Sequence, residues 1–253
     1  MSTLVFSIVI GFPAIGALAA WFAALRSWRS LTLGVSGGSA LPEMRRRLVP
    51  LLVMPSTLIV YGLVVSLIVL GEDVPDTVAL PSAFSYGVPG LLAGLGTAVI
   101  YRLGVRSAVA STQDFGRVLV LAVMPQVSAL FGLIVAFLLV GGGSSRIGDM
   151  LFGTDAPWLV SALAMVGGFG GPAGAWLAAS AWDFATTRTW PRALVRSARG
   201  GLFAIACFAL AIIFLSDWLI LAFVVAWFGG TVVLGLILYM TAKHKRLRAT
   251  RTS

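Results

Sequence analysis

The sequence predicts an all-α integral membrane protein of seven transmembrane helices, N-terminus outside and C-terminus in the cytoplasm, built from repeated helical hairpins. Three observations carry this. The chain is 59% hydrophobic and 11% charged over 253 residues, with a mean hydropathy of +1.00. That is more apolar surface than a soluble domain of this size can bury. Its apolar runs of about 20 residues are long enough to cross ~30 Å of hydrocarbon as helices. Finally, two stretches read almost alike at one constant offset, and an internal repeat bears on architecture before any local signal does.

The expected spans are 3–26, 49–70, 84–105, 118–140, 157–181, 200–215 and 218–241. The sixth is short and is divided from the seventh only by Ser216-Asp217-Trp218, so six spans with a re-entrant segment is the competing count. Span one has no positive segment before its apolar run, unlike a cleaved signal peptide, and is expected to remain attached. Gly11, Pro13 and Gly16 mark it as small-faced. Span three carries Gly87, Gly90, Gly94, Gly96 and Gly104, and span five Gly167, Gly168, Gly170, Gly171 and Gly174. Small residues let helix backbones approach in lipid, where dispersion contacts hold helices together. The even spans are bulkier. The loop 27–48 is long and glycine-containing, 71–83 reads as a turn-rich acidic connector, and 141–156 begins Gly-Gly-Gly-Ser-Ser. That last loop is taken as the boundary between a duplicated four-helix region, 1–140, and an added three-helix region with a basic tail, 141–253.

Orientation follows from charge. Of the 18 Lys and Arg, 17 fall in the loops after spans one, three and five and in the tail, leaving only Arg146 opposite. Six of the nine acids (Glu72, Asp73, Asp76, Asp149, Asp155 and Asp217) occupy the alternate loops. The positive-inside rule then places the basic side in the cytoplasm. The net charge of +9 is explained by topology and anionic lipid headgroups, so nucleic acid is not an expected partner. Arg-rich, Lys-poor usage suggests a GC-rich genome, and the expected location is a bacterial or archaeal cytoplasmic membrane. The lone Cys207 forms no internal disulfide or metal cluster, and the lone His244 reads as a solvated tail residue. Trp158, Trp182, Trp190, Trp218 and Trp227 fall mostly at span ends and read as interfacial anchors. No phosphate loop, nucleophile–base pair, zinc spacing or carboxylate pair is present, so no catalytic residues, metal or cofactor are expected.

The repeat runs from Arg47 through Met54-Pro55 to Tyr61-Gly62-Leu63-Val64-Val65, and from Arg117 through Met124-Pro125 to Phe131-Gly132-Leu133-Ile134-Val135. A third copy, with Phe208 laid on Phe131, lacks both Met-Pro and aromatic-Gly-Leu and rests on topology and glycines alone. Residues 84–140 resemble the membrane proteolipid (the c or K subunit) of V-type and A-type rotary ATPases. Gly90, Gly94, Gly96, Gly104-Val105-Arg106, Phe115, Gly116-Arg117, Leu119, Pro125 and the string Phe131-Gly132-Leu133-Ile134-Val135-Ala136 carry the match, and residues 47–70 resemble the corresponding helix of the family's first hairpin.

The resemblance implies a ring, with glycine-rich helices inside and bulkier ones outside. It also implies a Glu or Asp halfway along the outer helix, five residues before the aromatic-Gly, that takes up and releases a proton or sodium ion. Here those positions are Gln126 and Ser56, and Phe203 in the weak third alignment; none ionises. Gln126 has two readings: a hydrogen bond across a helix interface, or a permanent mimic of the protonated Glu or neutral ligand to an ion held by a neighbour. Ser56 reads as a packing or helix-bonding residue, and Pro55, Tyr61, Gly62, Gly90, Gly94, Gly96, Pro125, Phe131 and Gly132 as the packing motif. The expected protein is a structural, non-translocating subunit of a homo- or hetero-oligomeric membrane ring. Its basic cytoplasmic loops would dock other subunits, and its surface would contact lipid. The alternatives are a heteromeric rotary ATPase whose partner supplies the carboxylate, and an unrelated small-molecule or lipid transporter.

Overall fold

The computed structural model describes residues 2–32, 41–71, 74–141, 156–182 and 189–215. Among these, six helical stretches are long and apolar enough to cross a membrane. The predicted seventh span lies outside the described residues, as do Asp217, Trp218, Trp227 and His244, Arg146 and most of the 141–156 boundary loop. The first stretch is α1 (Ser2–Phe6) and α2 (Phe12–Thr32), joined by one π-helical segment, Ser7–Gly11. The second is α3 (Leu41–Val53) and α4 (Ser56–Gly71), parted at Met54-Pro55. Then come α5 (Asp76–Ala110) and α6 (Thr112–Val140). The fifth is α7 (Ala156–Gly168) and α8 (Gly170–Ala181), and the sixth is α9 (Trp190–Leu215).

Several expected boundaries are corrected. The 35 residues of α5 extend for ~52 Å at 1.5 Å per residue, well beyond the hydrocarbon. Nothing forces a helix to stop at the membrane surface, and Arg is a good helix former. Arg102, Arg106 and Arg117 therefore sit on helix ends, with Ser111 alone joining α5 to α6. Ser111 caps α6 by accepting from the Asp114 amide at 3.5 Å. Arg192, Arg196 and Arg199 likewise lie within α9, which starts at Trp190, well before the expected span. Most of the expected acidic connector 71–83 is the first two turns of α5, which Pro75 opens with an extended backbone and a carbonyl accepting from Val78 and Ala79.

Helix α5 is the hub. It packs between α2 on one side and α7 and α8 on the other, with α6 behind it. In turn, α6 packs between α4 and α9. The odd spans thus form one row and the even spans a second, and α5 keeps only a narrow open stripe through Leu95, Arg102 and Arg106.

Prolines and glycines set the closeness of the rows. Pro13 and Pro89 each deprive the carbonyl four residues earlier, Val9 and Ser85, of its helical donor. The glycine of each aromatic-Gly-Leu repeat lies against that same carbonyl: Gly62 on Val9, Gly132 on Ser85. Only a residue without Cβ admits such an approach. Pro13 and Pro89 thus stand in the same relation to the two repeat glycines, at an offset of 76 residues against 70 for the glycines. Gly90 lies on the Pro13 ring, Gly94 on the Gly16 backbone, and Gly96 is wedged between Pro125 and Pro172.

The apolar core divides into two clusters at opposite ends of the bundle. One gathers Ala24, Leu48, Tyr101, Val105, Val118, Ala178 and Ala193; the other Ile8, Leu58, Val65, Tyr86, Ala129 and Ala136. The described arginines all flank the first cluster. Trp182 is 5% exposed within that cluster, which corrects its assignment as an interfacial anchor; Trp158, in the first turn of α7, is 42% exposed.

Candidate functional site

Pro55 organises the site. Lacking an N–H, it leaves the Leu51 carbonyl without its helical donor, and the chain breaks between α3 and α4. In hydrocarbon an unpaired backbone group costs several kcal/mol, so donors must come from elsewhere. The Tyr101 hydroxyl on α5, wholly buried, donates to Leu51 O at 2.7 Å. The Trp21 indole on α2 donates to Leu52 O at 2.7 Å, and Ser56 Oγ reaches the same oxygen at 3.4 Å. Met54 O accepts from the Thr57 amide at 3.3 Å, from Thr57 Oγ1 at 2.7 Å and from Gln126 Nε2 at 3.5 Å. The break is thus clothed by side chains of four helices.

Gln126 is the midpoint of the 29-residue α6 and is 8% exposed. Its Oε1 lies 3.4 Å from Thr57 Oγ1. The single Thr57 hydroxyl hydrogen is committed to the closer Met54 carbonyl, which leaves the Gln126 amide as the donor from α6 into this cluster of oxygens. A protonated carboxylic acid at 126 would present an O–H where Nε2 now stands. An ionised one would face a carbonyl oxygen and be repelled.

Of the two expected positions, only Gln126 reaches this cluster. Ser56, half-buried, bonds back across the break to the Leu52 carbonyl of α3. Thr57 and the Met54 carbonyl face Gln126 instead. The two Met-Pro copies also differ: α6 runs unbroken through Pro125, whose carbonyl accepts from Ser128 Oγ at 2.6 Å. Phe203 is 47% exposed and lies apart from any such cluster, whereas Phe131 stacks on Phe208 at 4.7 Å. Tyr101 and Trp21 were not singled out from sequence. The available signal was Pro55 itself, which requires a foreign donor four residues upstream. The described acids, Glu43, Asp76 and Asp114, each stand in the first turn of a helix, and the first and last pair with Arg47 at 3.3 Å and Arg117 at 2.9 Å.

The stretch that holds most of α5 and α6, with Gln126 at its centre, is matched by the sequence comparisons. The family model for the ATP synthase C subunit matches residues 81–139. The 16 kDa proteolipid of the V-type proton ATPase of Ovis aries is 30% identical over 142 residues, 53% of this chain and 90% of its own length. The chain belongs to the rotary-ATPase proteolipid family. The K subunit of the A-type ATP synthase of Methanocaldococcus jannaschii is 34% identical to this proteolipid over 93 residues, 34% of the chain and 42% of the relative. The human 16 kDa V-type proteolipid is 29% identical over 141 residues, covering 90% of its length. No solved structure matches. These relatives are membrane subunits of ATPase complexes rather than catalytic by themselves. The proteolipid described here is a multi-pass membrane protein whose described helices continue into a third hairpin, α7 to α9, packed on α5 and α6.

Proposed function

We propose that this chain is a structural subunit of a proteolipid ring, an anchor or rotor scaffold that does not itself carry the translocated ion. The observation that carries this reading is Gln126. At the midpoint of an outer helix it donates to the Met54 carbonyl of the neighbouring outer helix, as a protonated carboxyl would, and an amide cannot release that proton into water. Three hairpins in two rows support an arc of a larger ring, with α2 and α3–α4 at one edge and α7 to α9 at the other. The apolar surface of the outer row, including Val60, Leu67, Val120 and Leu202, faces lipid.

The topology accompanying this reading has seven spans, N-terminus outside and basic ends in the cytoplasm of a bacterial or archaeal inner membrane, where they dock other subunits. The clustering of the described arginines at one end supports it. Residues 1–140 are the duplicated proteolipid-like part and 141–253 the addition. In the heteromeric variant of this reading, a carboxylate-bearing neighbour occupies the ring beside this chain. A transporter with a polar conduit through one chain receives little support, since the space between α6, α7 and α9 leaves a cavity of about 10 Å³, lined largely by apolar residues such as Phe131 and Phe208.

The test is Gln126→Glu. Protein extracted in mild detergent should run as a ring-sized oligomer, and the variant should gain dicyclohexylcarbodiimide labelling at residue 126 that the native chain lacks. A folded variant without labelling refutes the equivalence of the site; a monodisperse monomer refutes the ring.

A further inference from the structure

A groove of about 720 Å³ runs between α2 and α5 on the face away from the outer row. At one end stand Arg26 from α2 and Arg102 and Arg106 from α5; Phe22, Leu95 and Val99 wall its continuation. Its floor is closed by Ser27, 8% exposed, whose hydroxyl lies 3.3 Å from both the Tyr101 and Arg102 carbonyls and ties the two helices together. Among the described residues none of the three arginines has an ion pair; the carboxylates at this end, Glu43 and Asp114, are engaged by Arg47 and Arg117. Three unneutralised guanidinium groups converging on one groove repel one another and call for an anion. Leu95 lies two helical turns below Arg102, ~10 Å along the helix axis, so an occupant must be anionic at one end and apolar for several carbons beyond.

We propose that this groove is a binding site for one anionic phospholipid, its phosphate held by Arg26, Arg102 and Arg106 and an acyl chain laid along Phe22, Leu95 and Val99. The site is independent of whether the chain translocates ions. It differs from the diffuse attraction of basic loops to lipid because it has walls and a floor. A helix from a second polypeptide would need acids facing the arginines and would be an alternative occupant in the test.

The experiment counts lipid bound to the purified full chain by native mass spectrometry, during titration of mixed micelles with phosphatidylglycerol or phosphatidylcholine. One phosphatidylglycerol should be retained in preference to phosphatidylcholine. Each arginine near an anionic headgroup contributes about fivefold, so Arg102→Gln with Arg106→Gln should lower that preference about 25-fold. Arg192→Gln with Arg196→Gln, the same charge change on exposed positions of α9, should leave it intact. Leu95→Trp, which fills the groove and keeps every charge, should also lose the retained lipid. This second variant decides the matter if the double arginine variant does not extract as a folded protein. The proposal is overturned if the two double variants lose lipid equally, if Leu95→Trp retains it, if excess inorganic phosphate displaces it, or if a polypeptide is found there instead.

Discussion

Tyr101→Phe tests the logic of the helix break. The hydroxyl is wholly buried and donates at 2.7 Å to Leu51 O, the carbonyl that Pro55 leaves without a donor; its next neighbour, Met54 Sδ, is 3.6 Å away. Removing it strands an acceptor inside the bundle and should cost about 2 kcal/mol, within the ~1–3 kcal/mol expected for a buried unsatisfied group. If the reasoning is right, the cost depends on the proline. Pro55→Ala restores an N–H four residues after Leu51, so in that background the Leu51 carbonyl regains a helical partner and Tyr101→Phe should cost only a few tenths of a kcal/mol. The coupling across the double-mutant cycle should then be about 1–2 kcal/mol. Reversible unfolding in mixed detergent–SDS micelles, followed by tryptophan fluorescence, measures all four corners. Additivity of the two substitutions within about 0.5 kcal/mol, the behaviour of independent sites, would show that Tyr101 stabilises the bundle by packing alone and that the carbonyl has another partner.

Other outcomes follow from the same contacts. Gly16→Ala would place a Cβ 2.6 Å from the Leu91 carbonyl oxygen, and restoring ordinary contact requires α2 and α5 to move apart; a loss of ~1–3 kcal/mol in the same unfolding assay is expected. Gly62→Ala and Gly132→Ala should each be costly for the shared reason that both oppose a proline-freed carbonyl, and a large disparity between them in that assay would argue against that shared reason. Gln126→Leu removes a long hydrogen bond to Met54 O and should cost only about 0.6 kcal/mol while leaving oligomer size unchanged by native mass spectrometry. A much larger loss would mean that the amide holds the outer helices in register.

Much of the site was legible as a position but not as an arrangement. Gln126 is found by counting five residues back from Phe131-Gly132, and it stands at mid-helix, as that count implies. Ser56 is found by the same count, yet it turns back to the Leu52 carbonyl of α3, away from α6. Met54-Pro55 and Met124-Pro125 read alike, but only the first breaks its helix. Trp21 and Tyr101 stand ready to serve the carbonyls around the first, whereas Pro125 is seated between Gly96 and Gly171 in an unbroken helix. A sequence repeat reports two segments of like residues; the donors available to each depend on which neighbours the fold supplies.

The membrane character, the repeated Met-Pro and aromatic-Gly-Leu segments and the absence of an ionisable residue at the matched mid-helix positions belong to the chain's composition and order. They are local or additive properties: hydropathy summed over the length of a span, identity at a fixed spacing, the chemistry of one side chain. Tertiary structure decided which carbonyls Pro55 exposes to which donors, and that Gly62 and Gly132 oppose Val9 and Ser85. It also decided that Arg26, remote along the chain from Arg102 and Arg106, lines the same groove as they do. Those relations require two helices to lie at a particular rotation and height. Close packing of small residues in an apolar solvent, rather than any single residue's preference, sets both.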